Sequence, residues 1–341
     1  MPSRNEPEPR PRTRIPVRNR MTARAVDEPH RGSTQLELLF DLTFVVAIAA
    51  LVVQLAHGVA EGHAADVVGL FLQVFFAIWW AWMNFTWFAS SYDTDDVGYR
   101  LLTLVQMGGV LVLAAGVPPA FGAADYRLVT IGYLVMRVGL VALWLRAARE
   151  DPEGRRTALR YAAGIGAVEV LWLVRLLLDE LGVLAGAALT AVFVALAVAE
   201  LAVPPWAERS RPTTWHPHHI AERYTLFTII LLGESVLAVS TGIADVLHTG
   251  LRGSLLVAAG SGLVLLFALW WLSELQPSAD GLSTAAGARS RGGTATTGSS
   301  RPSPRSVRAS RSRSGRSGPT TRSARPTRSP SPQRRSSRCC G

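Results

Sequence analysis

Several charged residues lie inside long apolar segments of this sequence, and these residues could do chemistry. Asp41 lies within Leu-Leu-Phe-Asp-Leu-Thr-Phe, and Glu234 follows the apolar residues 229–232. A charge near the centre of a bilayer costs on the order of 3 kcal/mol on insertion scales, so such residues usually face a partner or a wet cavity. This pattern predicts a membrane-embedded proton or cation site.

The segment around Glu234 predicts a polar stripe along one helix. Steps of four, seven and eleven residues return to nearly the same helical face, which places His219, Arg223 and Glu234 together on it. Arg223 and Glu234 lie ~17 Å apart along the axis, too far for direct contact. We therefore expect Glu234 either to pair with Arg137 or Arg175 from another helix, or to carry a proton.

Glu37 and Asp41 are spaced by four residues and share a helical face. Thr34-Gln-Leu-Glu37 has the form of a capping box, so a capping role is the leading interpretation of Glu37. For Asp41, a structural ion pair and a functional role both remain open. Glu169 and Arg175 lie in one apolar segment and Arg137 lies in another, which predicts pairing between helices.

Neither the acidic loop nor the histidines predict a metal site. Asp93, Asp95 and Asp96 could hold a hard cation, but their spacing is not that of an EF-hand loop. A solvated loop or a helix cap is the expected role of these acids. The histidines at 216, 218 and 219 lack the spacing of a zinc protease. We expect no cofactor, and we expect no enzyme activity because no nucleophile with an oriented base is apparent.

Eight apolar runs would position these residues, each close to the length that an α-helix needs to cross ~30 Å of hydrocarbon. They span residues 36–57, 67–89, 101–118, 127–145, 161–178, 183–203, 224–243 and 254–272. Two proline pairs, Pro118-Pro119 and Pro204-Pro205, are expected to end the third and sixth helices. The predicted fold class is all-α: a polytopic transmembrane helix bundle of about eight spans, with disordered termini.

Composition supports a membrane protein and argues against a nucleic-acid partner. Of the 341 residues, 49% are hydrophobic, and all 35 basic residues are Arg. Fourteen of these Arg follow Pro277, against one acid there, so the net charge of +10 belongs to a tail. Cys339 and Cys340 are the only cysteines, which excludes a disulfide framework. The expected partners are the lipid bilayer and a small solute or proton; oligomeric state is not predicted.

The chain divides into three predicted regions: an Arg-rich cytoplasmic arm (1–33), the transmembrane domain (34–276) and an Arg/Ser/Pro-rich tail (277–341). Arg-rich loops favour the cytoplasmic side, which predicts loops 146–160 and 204–222 inside and loops 58–66, 119–126 and 179–182 outside. Both termini are then cytoplasmic, in a bacterial inner membrane. The acidic loop at 93–96 fits least well, because only Arg100 accompanies it.

The tail has two interpretations. Its composition from about Ala285 is typical of a disordered segment. Alternatively, it is a frameshift product, because a two-base shift in a GC-rich gene turns Arg and Ser codons into codons for apolar residues. The stretch from Arg291 to Ser300 could then encode Trp-Gly-Tyr-Gly-His-Tyr-Trp-Ile-Phe.

Several motifs together resemble the bacterial low-temperature-requirement A (LtrA) family of multi-pass membrane proteins, over about residues 33–284. They are Glu37-Leu-Leu-Phe-Asp41-Leu-Thr-Phe, Trp79-Trp-Ala-Trp82, Asp93-Thr-Asp95-Asp96, Gln106-Met-Gly, and His219-Ile-Ala-Glu222-Arg223-Tyr through Leu232-Gly233-Glu234-Ser235. The family also carries the Trp-Gly-Tyr-Gly-His-Tyr string, which favours the frameshift interpretation.

The resemblance brings no settled biochemistry with it. We expect a transporter or channel-like protein with proton coupling, whose polar path is lined by Asp41, Arg223 and Glu234. The alternative is a membrane structural or stress-response protein whose polar residues only hold helices together.

Overall fold

The computed structural model describes residues 16–25, 32–249 and 253–274, and all regular structure within them is α-helical. Eight helices follow one another: α1 (Gln35–Ala60), α2 (Ala64–Tyr92), α3 (Val97–Gly122), α4 (Arg127–Glu150), α5 (Arg155–Glu180), α6 (Ala187–Ala207), α7 (Pro217–Thr249) and α8 (Gly253–Glu274). Each predicted apolar run falls on its own helix, so the all-α prediction is confirmed. The predicted Arg/Ser-rich tail lies outside the described residues.

Seven helices are long and apolar enough to cross a membrane, namely α1 to α7. The eighth, α8, has a shorter apolar segment at Leu256–Leu272. Large apolar side chains such as Leu101, Val138 and Leu177 point away from the other helices, as expected of a surface that contacts lipid tails. These observations establish a polytopic membrane bundle.

Both proline pairs lie inside helices, so the prediction that they end them is wrong by about one turn. Pro118 and Pro119 lie inside α3, and Pro204 and Pro205 lie inside α6. The φ angle of proline suits a helix, and the carbonyls of Pro119 and Pro204 accept from the backbone N–H of Ala123 (2.9 Å) and Glu208 (3.0 Å). Each helix therefore continues for a last turn beyond its prolines.

Helix α3 packs between α1 and α4, α5 lies against α4, α6 lies against α5, and α7 lies against α1. The α3–α4 contact is close because glycines line it. A Cβ built at Gly109 would lie 2.7 Å from the carbonyl oxygen of Gly132. At Gly233, by contrast, no atom of the described residues lies within 4 Å of a built Cβ.

One end of the bundle gathers most of the arginines that the structure describes, and we call it the Arg-rich end. It is formed by residues 16–25 and by the loops between α2 and α3, α4 and α5, and α6 and α7. Arg146 at the end of α4 binds Asp96 in the α2–α3 loop at 2.8 Å. Arg18 binds Glu150 at 2.8 Å, and Arg24 binds Asp93 at 3.4 Å. The acidic loop therefore finds its arginines in other parts of the chain.

Asp96 connects the elements at the Arg-rich end. Its side chain caps α3 by accepting from the backbone N–H of Tyr99 at 2.9 Å, and it accepts from the N–H of Asn19 at 2.8 Å. Burial raises the pKa of Asp96, but the hydrogen bonds from Arg146, Asn19 and Tyr99 outweigh burial and hold this pKa well below its usual range. The predicted capping role is the observed one.

Candidate functional site

Four of the polar residues near the start of α1 and α7 form one buried group, which we call the α1–α7 cluster: Glu37, Asp41, His219 and Arg223. The capping box that positions Glu37 is present, because Thr34 and Glu37 exchange backbone-to-side-chain hydrogen bonds of 2.8 and 3.2 Å. Glu37 also turns its other carboxylate oxygen toward α7. One residue therefore both caps α1 and binds a second helix.

Arg223 is the cation of the α1–α7 cluster. Its guanidinium binds Asp41 and lies 3.5 Å from Oε1 of Glu37, and the side chains of all three are fully buried. His219 Nε2 lies 3.1 Å from the same Glu37 oxygen. The spacing of Arg223 and His219 by one helical turn brings both to the carboxylates of α1.

Helix α2 completes the α1–α7 cluster with aromatic side chains. Trp82 donates from Nε1 to Asp41 Oδ1 at 2.6 Å, and its ring stacks on Phe227 with centroids 4.5 Å apart. The guanidinium carbon of Arg223 lies 5.8 Å from the ring centres of Trp82 and Phe85. Asp41, Glu37 and Arg223, three of the residues that the sequence assigned to a polar site, thus come together, and their arrangement is that of a buried ion-pair network.

Glu234 does not join these residues. Its side chain is exposed on the surface of α7, although it shares the helix with Arg223. Arg137 pairs with Glu200 at 3.3 Å, so the predicted pairing of Arg137 with Glu234 is wrong. The spacing of Arg223 and Glu234 places both on one face of α7. The other described helices cover this face at Arg223 but not at Glu234.

Arg175, the second predicted partner of Glu234, also lies elsewhere. Its Nε donates to the backbone carbonyl of Leu189 at 3.4 Å. The guanidinium lies 5.9 Å from the ring centres of Tyr126, Trp172 and Phe193. Aromatic rings therefore surround this cation. Their π-faces attract its positive charge.

A second buried charge group lies between α4, α5 and α6, and we call it the α4–α6 cluster: Arg137, Glu169 and Glu200. The side chains of Arg137 and Glu200 are each 1% exposed and lie 3.3 Å apart. Arg137 also binds the hydroxyl of Tyr133, which donates to Glu200 at 3.0 Å. The sequence predicted pairing between helices without naming the pairs. The structure pairs Arg137 with Glu200 and places Glu169 near enough to interact electrostatically with both.

Glu200 was missed by the sequence prediction. It lies in the apolar run Ala-Val-Ala-Glu-Leu-Ala-Val, which carries the same signal that identified Asp41. Two tryptophans donate to its carboxylate: Trp80 from α2 at 2.9 Å and Trp172 from α5 at 3.4 Å. With Tyr133 and Arg137, Glu200 therefore connects four helices.

Glu169 differs from Glu200 in its surroundings. It is 4% exposed, and neither of its carboxylate oxygens has a hydrogen-bond partner among the described residues. The α4–α6 cluster thus holds one guanidinium and two carboxyl groups. A single proton on one carboxyl group would make the cluster neutral.

A small cavity lies on one side of the α4–α6 cluster, toward the end of the bundle where α4 begins. We call it the outer cavity. Its volume is about 50 Å³, enough for a few water molecules. Tyr133 and Trp172 line it, and both donate to Glu200.

A larger, half-open cavity lies on the other side, toward the Arg-rich end, and we call it the inner cavity. Its volume is about 610 Å³. Trp80 lines it and donates to Glu200. Along α6, Glu200 lies between the residues that line the two cavities. Phe193 before it lines the outer cavity, and Leu201 and Pro204 after it line the inner cavity. The α4–α6 cluster therefore lies between two cavities, each lined by residues nearer a different end of the bundle.

The described residues contain no group of three or more His, Cys, Asp and Glu side chains that could hold a metal ion. His219 faces Glu37, and Nδ1 of His216 accepts from the backbone N–H of His219 at 3.3 Å. In the acidic loop, Asp95 binds Arg100 at 2.8 Å. These side chains are engaged with the protein itself.

Comparison with known proteins places most of the chain in a single family. A family model described as bacterial low temperature requirement A protein (LtrA) matches residues 32–294, beyond residue 284, where we expected the resemblance to end. An uncharacterized protein of Rhizobium meliloti (strain 1021) is 31% identical over 253 residues, which cover 69% of this chain and 56% of that relative. The chain thus spans little more than half the length of this relative. No solved structure matches the chain.

Proposed function

The chain belongs to the bacterial low temperature requirement A (LtrA) family and is a multi-pass membrane protein, and on this premise we propose that it is a proton-coupled transporter or channel-like protein. The single observation that carries the proposal is the position of the α4–α6 cluster between two cavities. A path for a proton or small solute needs a polar site that both sides of the membrane can reach. Trp80 lines the inner cavity, Tyr133 and Trp172 line the outer cavity, and all three donate to Glu200, which supports a path through the α4–α6 cluster.

We assign the proton to Glu169. Of the two acids beside Arg137, Glu200 accepts hydrogen bonds from Trp80, Tyr133 and Trp172, whereas Glu169 accepts none from the described residues. A carboxylate in low dielectric needs donors or a cation to remain charged. Protonation of Glu169 neutralises the cluster without breaking the Arg137–Glu200 pair.

This assignment moves the functional site away from Asp41, Arg223 and Glu234, where the sequence placed it. Arg223 binds Asp41 and Glu37, Trp82 donates to Asp41, and His219 contacts Glu37. These contacts favour a structural role in holding α1, α2 and α7 together. The structural alternative thus describes the α1–α7 cluster best. The transport proposal rests on the α4–α6 cluster.

We also propose that the protein lies in the bacterial inner membrane with its Arg-rich end, and therefore its N-terminal arm, in the cytoplasm. The arginines of 16–25, Arg100, Arg146 and the two later loops share this end. Arginine in short loops favours retention on the cytoplasmic side. The inner cavity then faces the cytoplasm.

Proton movement in proteoliposomes tests the function. Vesicles containing the full-length protein, potassium and the pH indicator pyranine are diluted into potassium-free medium, and valinomycin sets an inside-negative potential. We expect these vesicles to acidify several-fold faster than protein-free vesicles. Glu169→Gln should reduce the rate to that of protein-free vesicles, because an amide cannot exchange a proton.

Glu234→Gln is the matched comparison, since it removes an acid that is exposed on α7. We expect it to retain the wild-type rate. If Glu234→Gln abolishes acidification and Glu169→Gln does not, the functional site lies on α7, as the sequence predicted. Equal rates for wild-type and protein-free vesicles would refute proton translocation and leave the structural alternative.

A further inference from the structure

The inner cavity has the size and lining of a binding site for an organic molecule. Its volume of about 610 Å³ lies within the range of roughly 300–1,000 Å³ that is usual for small-molecule sites. It is far larger than a proton or a hydrated metal ion requires. The protein therefore has room for a ligand of several rings beside the α4–α6 cluster.

Aromatic side chains from three helices form the wall of the inner cavity: Trp80 and Trp87 from α2, Trp144 from α4 and Tyr161 from α5. Trp144 and Tyr161 are stacked, with ring centroids 4.2 Å apart and planes inclined by 5°. Trp87 packs against Trp215, with ring centroids 4.8 Å apart and planes inclined by 57°. These rings offer π-faces, which attract cations and stack with aromatic ligands.

One carboxylate is held at the inner cavity. Glu208 lies just after α6, is half-buried, and accepts from Tyr161 at 3.1 Å and from the hydroxyl of Thr213 at 2.6 Å. Arg209 also lines the cavity but is exposed, so solvent and salt screen its charge more strongly than that of Glu208. An acid oriented by two hydrogen bonds, among aromatic rings, favours a positively charged ligand.

We infer that the inner cavity binds a lipophilic organic cation, with its aromatic or alkyl groups between Trp80, Trp144 and Tyr161 and its positive charge near Glu208. The residues supply all three features that such a ligand needs: volume, π-faces and one carboxylate. Trp80 places the ligand next to Glu200, because Trp80 both lines the cavity and donates to Glu200 at 2.9 Å. Binding itself does not depend on transport; only the idea that the cation is the transported solute rests on the proposed function.

Isothermal titration of the purified full-length protein in detergent tests the inference, with two probes of the same shape and opposite charge. Tetraphenylphosphonium and tetraphenylborate both carry four phenyl rings on a central atom. We expect saturable binding of the phosphonium, at least tenfold tighter than that of the borate. Equal affinities, or no saturable binding of the phosphonium, would overturn the inference.

Two variants locate the site. Glu208→Gln should weaken phosphonium binding about tenfold and narrow the difference between the two probes. Glu153→Gln removes an acid at the same end that is 76% exposed and outside the cavity, so it should leave both affinities unchanged. An unchanged affinity for the phosphonium in Glu208→Gln would place its binding site elsewhere and refute the assignment.

The two proposals fail separately. Phosphonium binding with no proton movement in vesicles would retain the cavity assignment and refute the proposed function. Proton movement without phosphonium binding would support the proposed function and refute the cavity assignment. In Glu208→Gln, comparison of the melting temperature with that of wild type separates lost binding from lost folding, and a folded variant with reduced binding supports the assignment.

Discussion

The two buried charge clusters differ in how completely their acids are paired. In the α1–α7 cluster, Arg223 and His219 face Glu37, and Arg223 and Trp82 bind Asp41. In the α4–α6 cluster, Arg137 pairs with Glu200, whereas Glu169 accepts no hydrogen bond from the described residues. A paired acid stabilises the contact between helices, whereas an acid without donors is suited to exchange a proton.

Arg223→Gln should destabilise the protein by about 3–5 kcal/mol, because Glu37 and Asp41 would keep buried charges without their cation. Arg127→Gln is the control: Arg127 binds Glu180 but is 60% exposed, so solvent screens this pair and its loss should lower the melting temperature far less. Thermal unfolding in detergent measures both. A similar small loss in the two variants would contradict a structural role for the α1–α7 cluster.

Asp96 predicts a dependence of stability on pH. Its pKa is lower in the folded protein than in the unfolded chain, so its contribution is complete above the unfolded value of about 4 and is lost as pH falls below that value. Asp96→Asn should therefore lower the melting temperature at pH 7, and the gap to wild type should narrow below about pH 4. A gap that stays constant down to pH 3 would contradict this account.

Sequence alone identified buried charges but not their partners. Asp41 and Arg223 were found because a charge in an apolar run is conspicuous. Their pairing depends on α7 packing beside α1, and no spacing within one helix contains that information. Glu234 is also an acid in an apolar run, like Asp41. It is exposed because no helix among the described residues covers the face of α7 that carries it.

At the scale of helices, the apolar runs predicted which helices exist and in which order they follow. Polar residues extend several of these helices beyond their apolar runs. α7 begins at Pro217, seven residues before the predicted start at 224, because His219 and Arg223 are buried against α1. α4 continues to Glu150, where Arg146 and Glu150 bind the N-terminal segment. In both helices, charged residues that bind other parts of the protein extend the helix beyond its apolar run.

The α3–α4 contact provides the test at this scale. Gly109→Ala places a methyl group 2.7 Å from the backbone oxygen of Gly132, so the helices must separate, and we expect a loss of about 1–3 kcal/mol. Gly108→Ala is the matched control, because no described atom lies within 4 Å of its new Cβ. Thermal unfolding should therefore show a lower melting temperature for Gly109→Ala only. Equal effects in the two variants would contradict the close packing of α3 on α4.

At the scale of the whole molecule, the predicted orientation in the membrane depends on the Arg-rich end. The acidic α2–α3 loop was the exception in the sequence, since only Arg100 is nearby along the chain. In space, Arg24 and Arg146 join it from elements distant in sequence. A count of charges by loop could not reveal this, because the neutralising arginines belong to other loops.

Single-cysteine labelling tests the orientation in a background where Cys339 and Cys340 are replaced by Ser. Glu61→Cys lies at the end of α1 away from the Arg-rich end, and Glu153→Cys lies at the Arg-rich end. An impermeant thiol reagent added to intact cells should label position 61 and spare position 153 until the cells are lysed. Labelling of position 153 from outside would reverse the assignment.

The prolines of α6 have a mechanical consequence for the inner cavity. Pro204 and Pro205 have no N–H to donate to the carbonyls four residues earlier, which belong to Glu200 and Leu201. The backbone ladder of α6 is therefore interrupted just after Glu200, and helices bend most easily at such interruptions. The last turn of α6, which leads into Glu208, is therefore joined to the rest of the helix by fewer backbone hydrogen bonds, whereas Glu200 is held by Trp80, Tyr133 and Trp172. A bend of α6 at this interruption would move one wall of the cavity mouth and leave the contacts of Glu200 in place.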